Sequence, residues 1–312
     1  MFAANSAWAQ QKLALGTIII DPGHGGIDPG AHGQFSTEAA VALSISLKLG
    51  KVLAEELPNS KLIFTRTTDE LPGTPNSVHE SLRYRADMAN QAKGDLFIAI
   101  HCNATGARAG GWYAKRVVGH KNKVTYVGKG SKRRKKTVRV PIYESYWVKN
   151  TRHGTETYIW AADRSGSKSS FINSTEDQTG ETGENVEDST NALDLNSPEA
   201  IIRGQLYEKK YFAKSLTLAT FVEEEFEKGG RFSGGVKQRN EKGIWVLQAT
   251  GMPSILVETG FITQTEEEQY LNSEKGQDEI VAQIVNAIKR YKAVLEGGST
   301  APVQAQQTAP AQ

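Results

Sequence analysis

The chain has one cysteine in 312 residues, Cys102, which excludes a disulfide within it. It has only three methionines, and no stretch approaches the roughly 20 apolar residues of a membrane-spanning helix. It also lacks a charge excess: 37 Lys and Arg against 35 Asp and Glu leave a formal +2. So small an imbalance gives no reason to expect nucleic acid as a partner. No internal repeat is visible. What remains is enough length for one large α/β domain with insertions.

The chemistry-bearing residues follow short apolar runs. Thr17 to Ile20 reads as a buried strand, bounded by the turn Asp21-Pro22-Gly23 and followed by His24 and two glycines. Leu96 to Ile100 is a second apolar run, and His101 follows it directly. Ile255 to Val257 is a third, and Glu258 follows it. In a parallel α/β sheet, sites form outside the carboxyl ends of the strands. Each residue alone is more often structural than catalytic. Three at equivalent strand ends point to a common site.

A helix is expected from Ser36 to Leu57, with Ser36 or Thr37 as N-cap. Val41, Ile45, Leu49, Val52 and Leu53 form its apolar stripe. Glu38, in the first turn, points the way the stripe points. It either favours the helix dipole or meets a partner inside, because an unpaired buried charge is costly. Two neutral imidazoles and one carboxylate supply three ligands for a catalytic zinc, with one position left for water. A second carboxylate then serves as general base. Spacing does not say which of Glu38 and Glu258 is ligand and which is base.

The pieces IIIDPGHGGIDPGAHG, STEAAVALSISLKL, TRTTD, LRYRADMAN, DLFIAIHCNA, GTETYIW, GGVKQ and MPSILVETGFIT span about residues 17–292. In this order the chain resembles the zinc-dependent N-acetylmuramoyl-L-alanine amidases, often called amidase type 3. The resemblance implies metal ligands at His24, Glu38 and His101, a catalytic residue at Glu258 and one zinc ion. It implies hydrolysis of the amide between the lactyl group of N-acetylmuramic acid and L-alanine, with peptidoglycan as partner. Lys237 and Gln238 of GGVKQ are candidate substrate contacts or strand-end scaffolding. Cys102 lies at a position the family does not use. The alternatives are a zinc peptidase acting on wall stem peptides and a non-catalytic wall-binding protein.

The fold expected is a single α/β domain, a twisted and mostly parallel sheet flanked by helices, with insertions at about 104–153 and 163–226. In the first, Lys123 to Val127 and Thr137 to Trp147 read as extra β-hairpins. Six of the eight residues 129–136 between them are Lys or Arg. That run reads as a solvated loop tip or as attraction to an anionic wall polymer, and no nucleic-acid motif accompanies it. The second resembles the regulatory insert of cell-division amidases, which an activator displaces, and Glu184 or Glu187 is the candidate to approach the metal. Arg66 and Asp69 are expected to pair and fix a loop, Arg83 and Arg85 to form surface salt bridges or meet substrate, and Ile244 to Leu247 to form a strand. Ala7-Trp8-Ala9 resembles a signal-peptidase site, so residues 1–9 read as a signal remnant of a protein exported to the periplasm or envelope. Residues 297–312 read as a flexible tail, and the protein as a monomer.

Overall fold

The computed structural model describes residues 15–73, 76–160, 198–238 and 244–297. Residues 1–9, the acidic segment with Glu184 and Glu187, and the tail beyond Gly297 lie outside the described residues.

The apolar runs form the inner strands. β1 (Thr17–Pro22), β3 (Leu96–Asn103) and β8 (Ser254–Phe261) are almost wholly buried. With β2 (Lys61–Phe64), β6 (Thr155–Ile159) and β7 (Ser233–Gln238) they make a six-stranded sheet in the order β2-β1-β3-β8-β6-β7. All neighbouring pairs are parallel except β6 and β8. Runs buried on both faces are what a parallel sheet covered by helices requires.

Period-two alternation sends side chains to two cores. Ile18, Ile20, Leu96, Ile98, Ile100, Ile255 and Val257 pack with helices α1 (Glu38–Glu56), α3 (Pro198–Lys228) and α6 (Glu274–Leu295). Ile19, Phe97, Ala99 and Leu256 face the opposite side, toward α2 (Val78–Gln91) and the short α4 (Trp245–Ala249). A further helix, α5 (Thr265–Asn272), follows β8. Helix α1 starts as the apolar stripe implies. Thr37 is its N-cap and accepts from the Ala40 amide, and Val41, Ile45, Leu49 and Leu53 are buried.

Two expectations are corrected here. Ile244 to Leu247 is not a strand, because α4 begins at Trp245. A four-residue apolar run fits a buried helix turn as well as a strand, and Asn90 decides between them. Its side-chain amide donates to the Ala249 carbonyl at 2.9 Å and accepts from the Gly251 amide at 2.7 Å, closing the helix end. The region of residues 104–153 holds one long hairpin, β4 (Gly111–Val127) and β5 (Arg134–Lys149), paired along its whole length.

Candidate functional site

The site is built where β1 leaves the sheet. The backbone after β1 turns sharply: His24 has φ 59°, a left-handed conformation rare for a side chain with a Cβ. Two arginines hold this turn. Arg66 donates to the carbonyls of Pro22, Gly23 and Ala39 at 3.0, 2.6 and 2.8 Å. Arg85 donates to the carbonyls of Pro22 and His24 at 2.8 and 2.5 Å and pairs with Asp21 at 2.5 Å. Arg85 is thus a buried strut, not a helix-surface charge, since its position on α2 faces the sheet. Arg83 is exposed. Asp69 fixes the loop by accepting from the Gly26 amide at 3.0 Å, and its charge acts on Arg66 without a direct hydrogen bond between them.

That turn brings His24 to Glu38 and His101. Glu38 Oε1 lies 3.1 Å from His24 Nε2 and 2.8 Å from His101 Nδ1. The same oxygen accepts from the Cys102 amide at 3.2 Å, while Oε2 accepts from the Ala31 amide at 2.9 Å. Glu38 is buried, and the inward reading of its first-turn position is the observed one. Little room is spare. Gly30, at φ +65°, could carry no Cβ without meeting Glu38 Oε2 and the His24 ring at 2.7 Å.

These three residues offer donor atoms within 4.8 Å of one another. Two imidazole nitrogens and a carboxylate oxygen fit the chemistry of a zinc site with an open position. Asp28 completes the fit. Its Oδ2 lies 2.8 Å from His24 Nδ1, so it orients the ring and leaves Nε2 for the metal. Burial pulls the His24 pKa down, but Glu38 and Asp28 outweigh it and push it up to about 9. Burial pushes Glu38 up, yet hydrogen bonds from His101 and His24 hold it well below the usual carboxylate range. A cleft of about 150 Å³ opens beside His24 and His101, lined also by Asp28, Val78, Leu82 and Val246.

Glu258 is the register partner of His101 across β3 and β8, so both side chains stand on one sheet face. Both residues lie inside their strands, two and three positions before the ends, because the ladder continues past them. On the other side, Glu258 is in register with Glu156 of β6. Glu156 is buried and gathers four donors. Lys237 Nζ lies at 2.5 Å, Asn103 Nδ2 at 2.7 Å, Tyr158 Oη at 2.9 Å and Arg152 at 3.4 Å. Lys237 is thereby held at the rim of the site, two strands from Glu258. Gln238 ends β7 and is exposed. Cys102 is fully inside, and burial and Glu38 push its thiol pKa up, which removes it as a nucleophile.

Sequence reasoning passed over Asp28 and Glu156. Asp28 follows His24 by four residues in HGGID, and Glu156 is the acid of GTETY. Both are polar residues inside quoted motifs, and that was the available signal.

Comparison with known proteins agrees with this architecture. The sequence pattern of the Amidase_3 family, N-acetylmuramoyl-L-alanine amidase, matches residues 18–290. The N-acetylmuramoyl-L-alanine amidase AmiC of Escherichia coli O6:H1 is 28% identical over 279 residues, covering 88% of this chain and 52% of that protein. The chain spans about half the length or less of several curated relatives it matches. Among solved structures, an N-acetylmuramoyl-L-alanine amidase from Clostridium difficile 630 superposes with a TM-score of 0.51 at 22% identity, covering 89% of this chain and 97% of that one. The CwlD amidase from Clostridioides difficile, solved in complex with the GerS lipoprotein, gives 0.53 at 19% identity, covering 89% and 98%. At these identities the two structures establish the mixed α/β amidase fold. With the family pattern matching nearly the whole chain, this protein belongs to the N-acetylmuramoyl-L-alanine amidase family.

Proposed function

We propose that the chain is a zinc-dependent amidase of peptidoglycan, cleaving the bond between N-acetylmuramic acid and the L-alanine of the stem peptide. The observation that carries this reading is the convergence of His24, Glu38 and His101 with Glu258 in register beside them. His24, Glu38 and His101 hold the metal. When bound, zinc supplies a Lewis acid and brings the pKa of a water toward neutrality.

The chain's own residues do the rest. Asp28 fixes the His24 ring. Glu258 takes a proton from the attacking water and delivers it to the departing L-alanine amine. Glu156 holds Lys237 at the cleft rim, from which its ammonium, with Gln238, meets the stem peptide. The segment containing Glu184 and Glu187 acts as a regulatory cover displaced by an activator protein, and deletion of residues 165–195 then raises activity. The complex of the CwlD amidase with a lipoprotein supports a protein partner for this fold. The enzyme works outside the cytoplasm, in the envelope, on wall remodelling or daughter-cell separation.

The test is digestion of purified peptidoglycan by zinc-loaded protein, with fragments identified by mass spectrometry and Glu258→Gln as control. Free stem peptides beginning at L-alanine, beside uncut glycan strands, are expected. Cuts inside the stem peptide would replace the amidase reading by a peptidase.

A further inference from the structure

The charge of this chain is near zero only as a sum. Residues 111–149 hold 12 Lys or Arg and a single acid, Glu144, so the remaining 25 basic and 34 acidic residues lie elsewhere. A basic hairpin is therefore mounted on an acidic body. Its strands are 17 and 16 residues long, which at about 3.4 Å per residue gives an arm of roughly 55 Å.

The arm is not held by a core. Nearly all its side chains are exposed or half-exposed beyond Gly111. Aromatic and aliphatic side chains are nonetheless exposed along it, interleaved with Lys115, Arg139 and Lys135. Successive residues alternate between faces, and the bulge between Val117 and Gly119 resets the phase of β4. Tyr113, Val117, Val124 and Tyr126 of β4 thus share a face with Tyr143 and Trp147 of β5. Tyr113 is 72% exposed and Trp147 is 52% exposed, and their rings meet edge to face at 5.1 Å. At the far end, Lys129, Lys132, Arg133, Arg134, Lys135 and Lys136 form the tip, with Arg133 stacked 4.7 Å from the Tyr126 ring.

The root of the arm lies on the rim of the site. β3 ends at Asn103, two residues past His101. The Asn150 side chain ties the two ends together, donating to Thr105 Oγ1 at 2.8 Å and to the Thr263 carbonyl at 3.1 Å. The Asn150 amide also donates to the Gly110 carbonyl at 3.1 Å. A polymer held at the root of the arm therefore lies near the strand end that carries His101.

We propose that this hairpin is a second binding surface for the polymer cut at the site, gripping anionic peptidoglycan next to the scissile bond. The inference rests on peptidoglycan as substrate. Exposed tyrosine and tryptophan rings present flat apolar faces with a polar edge, suited to sugar rings. Lysines and arginines attract the carboxylates of stem peptides. A membrane fits less well, because the tip from Gly128 to Lys136 carries no apolar side chain to insert.

Two variants test this. One replaces Lys132, Arg133, Arg134, Lys135 and Lys136 by Gln. The other replaces residues 111–149 by a short Gly-Ser link, which the closeness of Gly110 and Asn150 permits. Each is compared with the wild type for co-sedimentation with insoluble peptidoglycan, and for hydrolysis of a small soluble muropeptide. The expected result is a loss of co-sedimentation of about tenfold or more in both variants, with muropeptide hydrolysis unchanged. Wild-type binding should also fall in about 1 M salt, where the Debye length is about 3 Å. Equal co-sedimentation of all three proteins would overturn the proposal. So would a loss confined to duplex DNA or to phosphatidylglycerol vesicles, which would reassign the arm to those partners. If no protein cleaves the muropeptide even after residues 165–195 are deleted, the amidase reading fails, while the sedimentation comparison still decides the arm.

Discussion

Glu156 and Glu258 are register partners across the antiparallel pair of β6 and β8, two buried acids on one sheet face. Their proximity is made tolerable by Lys237, Asn103, Tyr158 and Arg152 converging on Glu156. Burial pushes the Glu156 pKa up, but Lys237 foremost, with Tyr158 and Arg152, brings it below the usual value. A carboxyl with a lowered native pKa stabilises the fold above its unfolded pKa, and that contribution disappears as pH falls through the native value. Glu156→Gln is expected to lose about 1–3 kcal/mol at neutral pH. The gap to the wild type should close in acid, below the ordinary carboxyl pKa of 4.5. Urea denaturation at a series of pH values reads both.

Glu258→Gln keeps the shape of the side chain and removes the base. Turnover should fall by about 10² to 10⁴, with zinc content unchanged by elemental analysis. A variant that kept full turnover would remove Glu258 from the mechanism.

The metal site has a graded prediction. His24→Ala or His101→Ala should abolish zinc binding. Asp28→Asn keeps all three ligands but weakens the acceptor that orients His24, so zinc affinity should drop about 10- to 100-fold. Competition with a chromophoric chelator measures this, and an unchanged affinity would make Asp28 a bystander.

Zinc binding should be coupled to protons. The metal-free pKa of His24, about 9, means that its ring is cationic at neutral pH. A ligand must be neutral, so each zinc displaces about one proton. Affinity should rise about tenfold per pH unit up to about pH 9. Calorimetry in buffers of different ionisation enthalpy counts the protons. In the metal-free protein the sign reverses for stability: the contribution of His24 is complete below pH 6.5 and is lost as pH rises through about 9.

Arg85→Ala leaves Asp21 buried without its cation and removes the donor to the His24 carbonyl, while the Pro22 carbonyl keeps Arg66. A loss of about 3–5 kcal/mol is expected, together with weaker zinc binding, because the His24 turn is then less firmly held. Thermal unfolding with and without zinc separates the two effects.

Much of this protein is written in short stretches of its sequence. Unbroken apolar runs such as Leu96 to Ile100 dictate buried strands, and the stripe from Val41 to Leu53 dictates α1, because periodicity is a local property. His24, Glu38, His101 and Glu258 are conspicuous for the same reason, as polar groups attached to apolar segments. Tertiary structure decided what depends on partners distant in the chain. Trp245 to Ala249 is a helix because Asn90 caps it from α2. Arg85 is a buried strut because Asp21 and the β1 turn lie beneath it. Glu156 holds Lys237 because β6 runs antiparallel to β8 and parallel to β7. A charged side chain is read correctly only once its surroundings are known, since burial makes an unpaired charge costly and so fixes which partners must meet.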